Sequence, residues 1–388
     1  MNTIDNIPWN KLSHAYSGDA SDLGTWLQAL FVANNDETFE AALSRIDFVI
    51  WHQGAVYSAT PHTVPFLIGV LPKCPITSRA QLINLLARIA DGKAPHVQNE
   101  FLSSEIKYGY MDPIEYDERM KEQLTWVKNC QIEVWKGFEL YLSLLNDEVT
   151  AVRIEVPNLL ATLLTQDKSH RPESLRHIDL DERVSKIIKI CLSGKQDPFV
   201  ACSFVFGLSS IGTRHTANLS YLKELMRFTG KERLRICAAI CLIDHQRYDA
   251  ALDVIIDALS RHHETDKLFN SELPWFAGWL RFQLIARLCT LPPKYIDLVL
   301  PALLTSIDTA THWTVDSDVA AILSFAFQGK KVDINKGAST LTDSQRIILQ
   351  RIYDNKEIWD PKSGNVSFVF HKIGLEKDRQ QWNEFLMH

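Results

Sequence analysis

The stretch NDEVTAVRIEVPNLLATLL, residues 146–164, decides the fold. Asn146, Asp147 and Glu148 form a polar turn, after which Val149, Val152, Val156, Leu159, Leu160 and Leu163 recur at intervals suited to one helical face. At 3.6 residues per turn these side chains make a single apolar stripe, which another element has to cover. Comparable stripes run through 23–31, 39–50, 79–90, 132–145, 184–192, 201–211, 221–228, 234–243, 251–259, 275–288, 296–304, 319–327 and 344–353. Sustained alternation of apolar and polar residues is missing, and only VSFVF at 366–370 reads as β-like. The sequence therefore predicts an all-α chain of about fourteen helices, paired into hairpins and stacked so that each stripe is buried by its neighbours.

Bulk properties agree with this reading. At 388 residues the chain is too long for one compact core. With 46% hydrophobic and 23% charged residues it carries enough apolar surface to fold. Its net charge of −6 argues against a dedicated nucleic-acid binder, which needs a basic excess to meet phosphates. The seven cysteines are unevenly spaced, and Cys237 and Cys241, one helical turn apart, read as packing. That usage suits a reducing compartment. Residues 1–9 lack the basic and apolar regions of a signal peptide. The apolar run 199–212 is too short for a membrane span and is broken by Ser203, Gly207, Ser209 and Ser210. A cytoplasmic location is expected.

A polar turn followed by an apolar helix start recurs at 146–153, 196–201 and 230–235. Aligning Arg153, Ala201 and Arg235 gives spacings of 48 and 34 residues, in the range of helical-hairpin repeats. The turn Asp147, followed by Val152-Arg153, resembles the HEAT-repeat signature, in which the Asp and Arg bridge neighbouring repeats. The second copy departs from it, with Ala201 where Arg is expected.

Near the N-terminus, Pro8-Trp9, the segment Leu12 to Gly18, Ile50 to Thr60 and Val64-Pro65-Phe66-Leu67 resemble a bacterial HEAT-repeat family, mostly of unassigned function. Leu341 to Arg346, Trp359, Gly374-Leu375 and Asp378-Arg379 resemble the terminal unit of the same family, so the likeness brackets the chain. Members are often encoded beside secreted or contact-delivered toxins, which implies an immunity role. The architecture expected is one HEAT-like α-solenoid over 1–388, a right-handed superhelix of about seven hairpins whose second helices form the concave wall. It would comprise N-terminal hairpins at 1–91, an acidic aromatic insert at 92–131, central repeats at 132–330 and a capping unit at 331–388.

The insert is the main irregularity. Gly92, Pro95, Gly109 and Pro113 interrupt the rhythm, and 97–123 holds seven acidic against three basic residues, interleaved with Phe101, Tyr108, Tyr110 and Tyr116. Acidic residues steer a basic partner and aromatic rings anchor it. Tyr108, Tyr110, Asp112, Glu115, Tyr116 and Asp117 are accordingly the candidate partner-binding residues. The alternative is a solvated loop whose aromatics cap the first hairpins.

Other motifs are less specific. Gly54 could end the helix before it in a left-handed conformation, with His52 and Tyr57 capping its carbonyls; otherwise His52 is a general base or contact residue. His262-His263 falls in a charged stretch and reads as solvated. Trp275 and Trp279, one turn apart, and Trp126 and Trp135 read as gap fillers between hairpins or as ligand-stacking rings. No HExxH, paired CxxC, phosphate loop or nucleophile elbow occurs. No metal, cofactor or catalytic residue is therefore expected. The leading expectation is an immunity protein, monomeric in isolation, that binds a basic toxin domain encoded nearby, without nucleic acid or membrane. The alternatives are a HEAT-like DNA glycosylase and a generic scaffold.

Overall fold

A computed structural model describes residues 3–16, 18–98, 112–211, 216–269, 273–276, 278–363 and 365–387. The chain is all-α. Among the described residues the only strands are β1 (Trp51–His52) and β2 (Ala55–Val56), a minimal antiparallel hairpin. No helix there is long and apolar enough to cross a membrane. The chain forms two compact units, Met1–Asn218 and Leu219–His388.

The first unit contains α1 (Ser21–Val32), α2 (Asp36–Ile50), α3 (Thr60–Val70), α4 (Ile76–Ala90), α5 (Pro95–Gln98), α6 (Pro113–Trp135), α7 (Phe138–Ser143), α8 (Thr150–Thr165), α9 (Leu180–Ser193) and α10 (Pro198–Ile211). Helix α11 (Thr216–Phe228) carries the boundary between the units. One row of helices runs α2, α4, α8, α10, each packed on the next; α1, α3 and α6 form a second row beside it. The stripe read at 146–164 lies in α8, where Val152, Val156, Leu159, Leu160 and Leu163 are all fully buried. Gly207 of α10 sits against Pro157 of α8, and a Cβ there would lie 2.8 Å from the Cβ of Pro157.

The second unit contains α12 (Glu232–Asp244), α13 (Tyr248–Ser260), α14 (His262–Thr265), α15 (Leu280–Leu288), α16 (Ile296–Asp308), α17 (Val315–Phe327), α18 (Asp343–Asp354), α19 (Val366–Lys372) and α20 (Arg379–Met387). It too falls into two rows, α12–α15–α17–α19 and α13–α16–α18–α20. Most of these helices bury one face, whereas α10 and α12 are buried all round, residues 200–209 and 236–243 being buried without a break.

Polar rungs join neighbouring helices, three of them within a row and one from α9 to α7. Arg88 donates to Asp47 (2.6 Å), Arg183 to Glu139 (2.6 Å), Arg287 to Asp244 and Arg351 to Asp308 (3.3 Å), over sequence separations of 41, 44, 43 and 43 residues. Asp147 also bridges, accepting from Arg79 of α4 at 2.9 Å. Arg153 does not: it donates to the carbonyls of Asp147 and Glu148 in its own turn.

Several local expectations are corrected. VSFVF is helical, because Val366 and Phe370, four apart, share the buried face of α19 while Phe368 points outward. The stripe at 132–145 is two helices: α6 ends at Trp135, and at Gly137 any Cβ would collide with the Tyr141 ring at 2.3 Å. The stripe at 275–288 begins only at Leu280, since Gly278 turns left-handed (φ +85°) and leaves Trp279 as an exposed cap residue. His262 is buried rather than solvated. Its Nδ1 lies 3.1 Å from the Leu259 carbonyl and its Nε2 3.0 Å from Thr309 Oγ1.

Candidate binding surface

The second half of the segment read as an insert is the start of α6. Asp112 caps the helix by accepting from the N–H groups of Ile114 (2.8 Å) and Glu115, and Pro113 occupies the first helical position. Proline is suited there because its missing N–H would have no helical partner. Along α6 one line of less exposed residues is Tyr116, Met120, Gln123, Val127, Cys130 and Val134, spaced four, three, four, three, four. That line rests on the first unit, chiefly on α3 and α4. The outer face of the first three turns is left to Glu115, Asp117, Glu118 and Glu122, with Ile114 and Leu124 also exposed.

Gln123, buried at mid-helix, clamps His96. Its Oε1 accepts from the His96 backbone N–H at 2.9 Å, which places its Nε2 against His96 Nδ1 at 2.5 Å. A backbone N–H can only donate, so the amide orientation is determined, and Nδ1 must be the accepting ring nitrogen. Tyr116 meets the same ring edge-on, with centroids 5.1 Å apart.

Opposite α6 runs the N-terminal segment carrying the residues of the family likeness. Ser13 N–H donates to Ser58 Oγ (2.7 Å), Ala59 N–H to the Ser13 carbonyl (3.1 Å) and Ala15 N–H to the Val49 carbonyl (2.9 Å). Ser21 holds the exposed Asp19 carboxyl below the usual carboxylate range by hydrogen bonds from its side chain and backbone. A polar cleft of about 470 Å³ lies between this segment and α6, with Lys11, Asp19, Ser58, Arg119, Glu122 and Trp126 among its walls.

The His52 motif takes a different form from that expected. Gln53 (φ 49°) and Gly54 (φ 89°) are the two-residue turn of the β1–β2 hairpin. The end of α2 is bonded by Thr60, whose hydroxyl donates to the Ile50 carbonyl at 2.7 Å. His52 instead packs with Tyr16 and Phe48, which stack at 4.8 Å.

The structure thus brings together only part of the sequence-predicted set. Asp112 is a helix cap, Glu115 pairs with Arg119 at 2.6 Å, Tyr116 is half-buried against His96, and Asp117 is exposed. Tyr108 and Tyr110 lie outside the described residues. His96 and Gln123 were missed, although Asp112-Pro113 as a helix start and the four-three spacing that follows could have revealed Gln123; Trp126, read as a gap filler or stacking ring, lines the cleft. What gathers here is charge and hydrogen-bonding capacity on a rigid helix. Among the described residues no group of three His, Cys, Asp or Glu side chains is placed to hold a metal ion. No protein-family model matches this chain, and no curated protein matches it.

Proposed function

We propose that this chain is a HEAT-like α-solenoid that binds a protein, an immunity protein that neutralises a basic toxin domain by occupying it. The repeat reading is supported by the paired rows in each unit and by ionic rungs recurring at 41 to 44 residues, close to the period read from the turn motifs. The observation that carries the binding reading is the first half of α6. One face is packed, and the other presents Glu115, Asp117, Glu118 and Glu122 with only Arg119 and Lys121 among them. A helix anchored along one side displays these carboxylates at fixed spacing, so little order has to be gained on association. Its field reaches about one Debye length, roughly 8 Å at physiological salt. The exposed Ile114 and Leu124 supply apolar contact beside the charge.

The test is surface plasmon resonance against the toxin domain encoded next to this gene, at two salt concentrations. The variant Glu115→Gln/Asp117→Asn/Glu118→Gln/Glu122→Gln leaves the Asp112 cap intact. It should associate more slowly than the parent and show a flatter salt dependence, with dissociation less affected. Equal association rates for parent and variant at both salt concentrations would remove α6 as the contact surface.

A further inference from the structure

The bond between the side chains of Gln123 and His96 exists in only one protonation state of the ring. Gln123 is used twice: Oε1 accepts from the His96 backbone N–H, and Nε2–H donates to Nδ1. The backbone N–H fixes the amide, and the amide in turn requires a lone pair on Nδ1. The single proton of the neutral ring is therefore on Nε2, which is buried without a hydrogen-bond partner among the described residues. A second proton has to go on Nδ1. Its N–H would meet the amide N–H of Gln123, two donors would face each other, and the bond would be lost. Turning the amide over gives no escape, because its NH₂ would then face the His96 backbone N–H.

The surroundings of the ring carry both signs of charge. Helix α5 packs on β2, whose Ala55 and Val56 do not titrate, and on α6. From α6, Tyr116 meets the ring edge-on, and Arg119 and Glu122 line the cleft that His96 also lines. The N-terminal segment adds Lys11 and Asp19 to that cleft. Lys93, just before α5, is joined to the hairpin by its backbone. None of these carboxylates bonds to either ring nitrogen, so no anionic acceptor takes over when the ring is charged.

We propose that the His96–Gln123 bond is an acid-sensitive latch between α5 and α6, closed when the ring is neutral and opened when it takes a second proton. Opening removes a tie from the half of α6 that carries Glu115, Asp117, Glu118 and Glu122. Since the closed latch needs an uncharged ring, its contribution to stability is present above the ordinary range of histidine titration, about 6.5, and lost as pH falls through it. The latch belongs to the anchoring of α6 and does not depend on what the acidic face binds.

The experiment is a double-mutant cycle in the full chain, with His96→Ala, Gln123→Ala and the pair, unfolded by urea at about pH 7.5 and about pH 5.5 and followed by circular dichroism. His96→Ala keeps the backbone N–H, so the cycle isolates the ring bond. The two side chains should be coupled about fivefold in the unfolding equilibrium constant at the higher pH, and less than about twofold at the lower. Gln123→Glu should reverse the trend: one carboxylate oxygen accepts from the backbone N–H and the other from a protonated Nδ1, so its coupling to His96 should grow on acidification. Should an alanine variant fail to fold, the imidazole nitrogen NMR spectrum of the parent reads the latch directly, with Nε2 protonated and Nδ1 bare at the higher pH. Parental coupling that is absent at the higher pH, equal at both or larger at the lower would overturn the proposal. So would a Gln123→Glu coupling that weakens in acid, or a parent ring protonated on Nδ1 at the higher pH.

Discussion

Replacing Gly207 with alanine tests the packing that unites the first unit. In most helices this change stabilises by up to about 1 kcal/mol, since alanine is the better helix former. Here the added methyl would sit 2.8 Å from Pro157 Cβ and 3.5 Å from its Cα and carbonyl oxygen. Carbon atoms pack at about 3.5–4.0 Å. Proline's ring and backbone cannot swing aside, so α8 and α10 must separate by close to 1 Å. The separation also stretches the hydrogen bond from Ser203 Oγ to the Ile154 carbonyl, 2.5 Å long and one turn from Gly207 on α10. Overpacking of this kind costs about 1–3 kcal/mol. Against the propensity gain, the net expectation is a loss of about 1–2 kcal/mol, or a fall in Tm of about 2–8 °C for a unit of this size. Urea denaturation followed by circular dichroism measures it. Gly69→Ala is the control: its Cβ has only Phe31 nearby, at 4.0 Å, and it should be neutral or stabilising. If Gly207→Ala proves as stable as the parent or more so, the α8–α10 contact is looser than described and the reasoning fails.

Asp112→Ala should cost about 1 kcal/mol by removing the cap of α6, while Asp112→Asn should stay close to the parent, as read by urea denaturation. Asp318 is fully buried, and burial outweighs the pull of Arg281 at 2.8 Å, pushing its carboxyl up to about 6 from 3.8. Because the folded value lies above the unfolded one, this group's contribution to stability is present below about pH 4 and lost as pH rises through 6. The stability of the parent relative to Asp318→Asn should therefore fall between pH 4 and pH 6.5; a difference that rises over that window contradicts the assignment. Burial raises the Cys130 thiol far above its usual value and those of Cys74 and Cys289 to about 12, leaving little thiolate at neutral pH. Ellman's reagent should label these three slowly in the native chain and quickly in denaturant, and rapid native labelling of Cys130 would count against the packing of α6.

Helix type, and the stripe each helix buries, were legible wherever apolar residues recur at 3.6. Val152, Val156, Leu159, Leu160 and Leu163 are buried as the periodicity requires. This signal is local, because side-chain direction along a helix follows from backbone geometry alone. It was misread where a short run could satisfy either period, as at VSFVF, and where an N-terminal signal looked like a breaker, as at Asp112-Pro113. Which groups meet across elements was not legible. Nothing local in Gln123 says that its amide will clamp His96, 27 residues away, or that Arg79 rather than Arg153 will bridge to Asp147. The face of α3 is the clearest case: His62, Phe66 and Gly69 share a side of the helix by periodicity, but only the positions of α1 and α6 leave that side open as a groove. Periodicity is a property of one segment, whereas a cleft, a clamp or a rung depends on the separation of two segments, which only their mutual packing sets.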